Sequence, residues 1–200
     1  MKHIRSVTVL GAGTMGSQIA AHLANAGIPT LLLDLDTKTS ANGLKRARKL
    51  KPDPFFTKYT YQTIEVGGFD SHLAQISEYD WIVEAVVEQL DVKQELLRKI
   101  EHHRSEDTIV SSNTSGIPIA TIAEGFNDSF RKHWLGTHFF NPPRYLPLLE
   151  VIPTTDTKPE VLKTMVGFGD RVLGKGVVVA KDTPNFIGNR IGLDGVMRDL

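Results

Sequence analysis

Short apolar runs alternate with longer amphipathic stretches from the first residues of the chain onward. Ser6–Leu10 (SVTVL) has the unbroken apolar character of a strand covered on both faces. Thr14–Asn25 follows with helical periodicity, and Gly27 is placed to stop that helix in the left-handed conformation. Thr30–Leu33 repeats the strand pattern, and Thr37–Leu50 reads as a helix carrying basic residues along much of its length. From Lys51 to Gly68 the pattern breaks at Pro52, Pro54 and the Gly67-Gly68 pair, and this stretch is expected to be a long loop. Strands are predicted again at Trp81–Ala85, Thr108–Ser112, Leu135–Phe140, Leu148–Ile152 and Gly176–Ala180. Helices are predicted over Asp91–His103, Pro118–Glu124 and Pro159–Leu173. Continuous apolar strands separated by helices call for an α/β, doubly wound, mostly parallel sheet with helices on both faces.

The chain's end is read the same way. Asp182-Thr183-Pro184 has the form of a helix cap with proline in the first turn, opening a helix that runs to Leu200. The expected organisation is therefore one sheet-bearing domain over residues 1–183, with 184–200 beginning a helical domain otherwise absent from this chain.

Composition adds exclusions. With 23 basic and 23 acidic residues the formal net charge is zero, which argues against nucleic acid or an anionic membrane surface as the main partner. No cysteine is present, so disulfides, thiolate nucleophiles and thiolate-bound metals are ruled out. No apolar run approaches the roughly 18 residues of a membrane span, and no signal-peptide pattern opens the chain. A soluble, intracellular protein is expected, cytoplasmic if its host is bacterial. The seven histidines show no ligand spacing with neighbouring carboxylates, so no metal is expected.

The chemistry begins at VTVLGAGTMGSQIA, which places Gly11-x-Gly13-x-x-Gly16 between a strand and a helix. The first glycine suits the tight turn, the second admits a pyrophosphate to the backbone, and the third lets helix and strand pack closely. Thr14 and Met15 would present free N–H groups to that anion at the helix N-terminus. Asp34 closes the second strand 18 residues beyond Gly16, where a carboxylate binds the adenosine ribose. It would repel a 2′-phosphate, so NAD is expected and not NADP. Asp36, two residues on, is read as a solvated loop residue.

Polar clusters follow three later strands: Glu84 and Glu88, then Ser112-Asn113-Thr114-Ser115-Gly116, then His138 through Asn141. In an open parallel sheet these strand ends face the ligand crevice. A histidine, an acid 12 residues on at Glu150, and a Ser/Asn cluster there can serve as base, orienter and carbonyl binder. Taken alone, each has a plain structural explanation: a hydrogen-bonded core histidine for His138, a turn and helix cap for residues 112–116.

Seven blocks in order give the chain a family resemblance: GAGTMGSQIA, the strand ending in Asp34, WIVEAVVE with DVKQEL, SSNTSGIPI, GTHFFNPP, LLEVIP and KDTPNFIGNRIG. The sequence resembles the N-terminal, NAD-binding Rossmann domain of the L-3-hydroxyacyl-CoA dehydrogenases of fatty-acid β-oxidation, over nearly its whole length. The resemblance implies His138 as catalytic acid/base with Glu150 as its partner, Ser115 on the substrate oxygen, and Asn189 holding substrate and histidine. It places Ala85, Glu88, Lys93, Asn113, Ser115 and Asn141 along the cofactor. It also implies an acyl-CoA substrate and a full-length protein that is a homodimer or part of a multifunctional β-oxidation enzyme. Leu50–Gly68 is shorter than the family's helical hairpin, which contributes to coenzyme A binding. Lys45, Arg46, Arg48 and Lys49 are either ligands of the adenosine 3′-phosphate or a solvated helix face. Two alternatives stay open: the related branch that includes gulonate dehydrogenase, and a non-catalytic NAD-binding module.

Overall fold

A computed structural model describes residues 3–183, 185–188 and 190. Strand β1 (Val7–Leu10) leads through α1 (Thr14–Asn25) to β2 (Thr30–Asp34), then α2 (Thr37–Ala47), a 3-10 turn at Thr60–Thr63 and β3 (Ile64–Gly68). The short helix α3 (Phe69–His72) and a 3-10 segment (Leu73–Glu78) return the chain to β4 (Trp81–Glu84). After it come α4 (Leu90–His103), β5 (Ile109–Ser112), α5 (Ile119–Ile122), α6 (Asp128–Lys132) and β6 (Trp134–Phe139). The last elements are β7 (Leu148–Pro153), α7 (Pro159–Arg171) and β8 (Gly176–Val179).

These eight strands form one sheet in the order β3-β2-β1-β4-β5-β6-β7-β8. The first six run parallel; β7 pairs antiparallel to β6, and β8 runs with β7. Successive side chains leave opposite faces of a strand, and both faces here are buried. Val7, Val9, Leu32, Trp81 and Val83 join Ile19 and Leu23 of α1 and Met165 and Phe168 of α7 in one core layer. Leu10, Leu31, Leu33 and Ile82 join Leu96, Leu97 and Ile100 of α4, with Phe130 of α6, in the other. The doubly wound α/β architecture expected from the pattern is the one observed. Strand order reverses between β1 and β4, and the crevice above that reversal is where such sheets bind ligands.

Two local readings are corrected. Residues 51–68 are not one loop, since Ile64–Gly68 forms the edge strand β3 paired with β2. Its glycines are contact points and not breaks: a Cβ on Gly68 would lie 2.8 Å from Asp36 Cα. Asp36 is exposed, as expected, and also serves as the N-cap of α2, accepting from the Thr39 N–H at 2.6 Å, a bond that holds its carboxyl below the usual value. Asp182 turns its carboxylate to another element, and most of the helix read beyond it, 191–200, lies outside the described residues. Its two carboxylate oxygens accept from Ile119 and Ala120 N–H groups at 2.8 Å each, at the start of α5, and Asn185 and Phe186 turn left-handed beyond it.

Candidate active site

The glycine turn is built by close approach. Gly11 has φ +98°, and a Cβ there would stand 2.7 Å from the Ala85 carbonyl oxygen. On Gly16 a Cβ would overlap the Gly11 carbonyl, which is how α1 comes to lie directly against the turn. Gly13 is different: a Cβ there would meet nothing within 4 Å. Its bareness leaves open room at the N-terminus of α1, where free N–H groups and the helix dipole favour an anion. Beside it lies a cavity of about 430 Å³ lined by Gly11, Gly13, Asp34, Ala85, Val92 and Leu96. Phe69, Leu35 and Val87 add apolar walls, and Glu95 and Lys99 stand among its lining. Asp34 accepts from the Ala12 N–H at 2.6 Å and the Leu35 N–H at 2.7 Å, leaving lone pairs on both oxygens for ribose hydroxyls. An apolar slot for a base, a carboxylate for its ribose and an open helix N-terminus for a diphosphate fit an adenine dinucleotide.

Lys93, expected along the cofactor, is buried, with its ammonium 2.7 Å from Glu84 Oε1 and 3.2 Å from Glu88 Oε2. Glu84, wholly buried, also accepts from Ser112 Oγ at 2.5 Å and the Val86 N–H at 2.7 Å. Glu88 is half exposed, and its Oε1 accepts from Thr114 Oγ, the Ser115 N–H and the Gly116 N–H at 2.5, 2.9 and 3.0 Å. Burial alone would raise the Glu88 carboxyl; these hydrogen bonds and the Lys93 charge outweigh it and hold it below its usual value. Removing one partner of a buried ion pair strands the other, typically at about 3–5 kcal/mol. Lys93 thus acts on the 112–116 loop through Glu88.

That loop meets the histidine. Ser115 Oγ lies 3.0 Å from His138 Nε2, and His138 Nδ1 lies 2.7 Å from Glu150 Oε2. The β6–β7 register sets His138 directly opposite Glu150. A carboxylate on Nδ1 fixes the tautomer: Nδ1–H donates to Glu150 and Nε2 keeps its lone pair. Glu150 is buried, and its other oxygen accepts from the Ile187 and Gly188 N–H groups at 2.8 Å each, so its charge is fully engaged. Asn113 Oδ1 accepts from the Phe139 N–H at 2.9 Å, pinning the strand next to the histidine. Phe139 is a core residue, but Phe140 is not. It is half-buried with its ring centroid 4.5 Å from that of His138, and Phe186 stands at 5.6 Å. Asn141 Oδ1 accepts from Gln18 Nε2 at 3.0 Å, linking this edge to α1. Asn189 lies outside the described residues.

The four cations in and just beyond the last turn of α2 do not converge. Arg46 reaches the Ala12 carbonyl at 3.3 Å and lines, with Gly13, Thr14 and Ser17, a small cavity of about 130 Å³. Arg48 lies over the Tyr61 ring at 3.6 Å, while Lys45 and Lys49 are exposed. Sequence reading missed Phe69, Val92 and Gln18, which carry no local motif. It also missed Gly43, where a Cβ would overlap the Ala12 carbonyl; a glycine inside a helix is the signal that marks it.

The family model described as 3-hydroxyacyl-CoA dehydrogenase, NAD binding domain, matches residues 6–183. The chain belongs to the 3-hydroxyacyl-CoA dehydrogenase family. It is 48% identical to a "Probable 3-hydroxyacyl-CoA dehydrogenase" of Bacillus subtilis, covering 98% of this chain and 28% of that protein. A Deinococcus radiodurans protein of the same description is also 48% identical, over 98% of this chain and 59% of that one. Among solved structures, 3-hydroxybutyryl-CoA dehydrogenase from Escherichia coli superposes with a TM-score of 0.83 at 27% identity, over 96% of this chain and 41% of that one. The chain therefore spans between a quarter and three fifths of the curated relatives named here, and the part it spans is the NAD-binding domain of the 3-hydroxyacyl-CoA dehydrogenases.

Proposed function

We propose that the protein oxidises L-3-hydroxyacyl-CoA thioesters to 3-ketoacyl-CoA in fatty-acid β-oxidation, using NAD. The observation that carries this reading is His138 held on Glu150 by Nδ1, with its free Nε2 lone pair turned to Ser115 at 3.0 Å. Oxidising a secondary alcohol requires the hydroxyl proton to leave as hydride leaves the same carbon. His138 Nε2 takes that proton, and Glu150, already accepting from Nδ1–H, stabilises the imidazolium. Ser115 Oγ holds the substrate oxygen beside Nε2, with Asn189 assisting. The cofactor, when bound, supplies the hydride acceptor. Gly11, Gly13, Thr14, Met15, Gly16, Arg46, Asp34 and Ala85 bind and orient it, while Glu88, Asn113 and Asn141 shape the nicotinamide end. In the reverse direction the imidazolium returns its proton to the carbonyl oxygen.

General acid–base catalysis of this kind contributes about 10²–10⁴-fold. His138→Gln is therefore expected to lower turnover of acetoacetyl-CoA by that order in the full-length protein, following NADH absorbance, while leaving NADH affinity near the parent value. Near-parental turnover in the variant would remove His138 from the mechanism. NADH formation with L-gulonate, and none with a hydroxyacyl-CoA, would reassign the substrate to a free sugar acid.

A further inference from the structure

Lys175 stands between α7 and β8, and its side chain is buried. Its ammonium donates to the Pro143 carbonyl and, at 2.9 Å, to the Leu146 carbonyl. The next residue continues the contact, since the Gly176 N–H donates to the Pro147 carbonyl at 2.8 Å. Lys175 itself is anchored by its own N–H on the Gly169 carbonyl at 2.9 Å, and β8 is paired with β7 so that Val178 faces Glu150. Residues 140–147 join β6, which carries His138, to β7, which carries Glu150. In a hairpin, the connection fixes which residues stand opposite one another. This connection has no helix or strand of its own, and three of its carbonyls are held from the Lys175-Gly176 step.

We propose that Lys175 is a positioning residue for the His138–Glu150 pair, tying the 140–147 connection to the β7–β8 edge and so fixing the register that sets imidazole against carboxylate. The chemistry of the residue supports this. Burial pushes the amine down to about 8, so the charged form is disfavoured where it sits, and a methionine would fill the space without that penalty. A thioether has no donor to offer the two carbonyls. The titratable group facing Lys175 is His22 of α1, which burial pushes down to about 4 and which is therefore neutral wherever Lys175 titrates. Phe139, whose ring centroid lies 6.0 Å from the ammonium, adds a polarisable face between the lysine and the histidine's strand.

The inference rests on the proposed role of the pair in catalysis, but its test reads the pair directly. In Lys175→Met the nuclear magnetic resonance signal of the His138 Nδ1 proton, held on Glu150 in the parent, is expected to shift and broaden. Turnover should fall by up to about 10²-fold, as small misplacements do, with NADH affinity unchanged, and Lys175→Gln should recover part of both. A variant that is merely less stable, with parental His138 signals and turnover, would overturn the proposal. Should Lys175→Met fail to fold, Lys175→Gln is read instead: its shorter side chain cannot span both carbonyls, so the His138 Nδ1 signal must move from the parent's, and a parental signal would also overturn the proposal. The failure of His138→Gln to affect turnover would remove the catalytic reading while leaving this coupling measurable.

Discussion

Two of the buried histidines have quite different partners on their ring nitrogens. His138 has a carboxylate on one ring nitrogen and a hydroxyl on the other. His22 has the Leu173 carbonyl on Nε2 at 3.1 Å, and its Nδ1 has no hydrogen-bond partner among the described residues. Burial first, then the Lys175 charge, push His22 down from 6.5 to about 4. Between those two values the unfolded chain binds a proton that the folded chain refuses. Stability tied to His22 is thus complete above pH 6.5, falls as pH drops through the window, and stops falling near 4. The shift corresponds to about 3 kcal/mol on the order-of-magnitude scale. His22→Leu should flatten the slope of urea-unfolding stability against pH between 4 and 6.5; an unaltered slope would assign the effect elsewhere. The residues with a visible role in the sequence were those whose partners are near in the chain. His138 and Glu150 sit 12 residues apart on one hairpin, and Asp34 closes the strand next to the glycine turn. Gln18 and Asn141, 123 residues apart, and Asp182 and Ile119, 63 apart, were not legible, because only folding brings such partners together.

At the scale of elements, α2 serves the site through its packing against the glycine turn. Ser40, Gly43, Leu44 and Ala47 form its buried face, and Gly43 lies against the Ala12 carbonyl inside the glycine turn. Helix propensity alone predicts that alanine at 43 stabilises by about 1 kcal/mol. The overlap of a Cβ with Ala12 reverses that sign, since backbone cannot give way as a flexible side chain does. Gly43→Ala should therefore lower stability by about 1–3 kcal/mol, the usual range for overpacking, and weaken NADH binding measured by fluorescence. Parental affinity together with raised stability would show that α2 is free to shift. The same dependence on contact explains why β3 escaped sequence reading. Its Gly67-Gly68 pair has the form of a breaker, yet those glycines let the strand lie against Asp36 and the His72 ring. The strands around the crevice were readable because each is an apolar run buried on both faces.

Across the whole molecule, protection should follow distance from the middle of the sheet. Strands β1 and β4 have neighbours on both sides and wholly buried residues, whereas β8 ends the sheet with Val178 and Val179 exposed. Native-state hydrogen exchange is expected to find the slowest amides in β1 and β4 and the fastest strand amides in β8; equal protection in β8 and β1 would contradict this. The glycine-turn crevice thus stands on the strands expected to be most protected, and the His138–Glu150 pair nearer the edge. The reversal of β7 has one further consequence. Because His138 and Glu150 share a single hairpin, damage to the glycine turn and damage to the hairpin should be separable faults. Under the proposed reaction, a chain with a broken glycine turn would keep the His138–Glu150 pair intact and fail to load its cofactor. One with a slipped hairpin would load its cofactor and leave the alcohol proton without its acceptor.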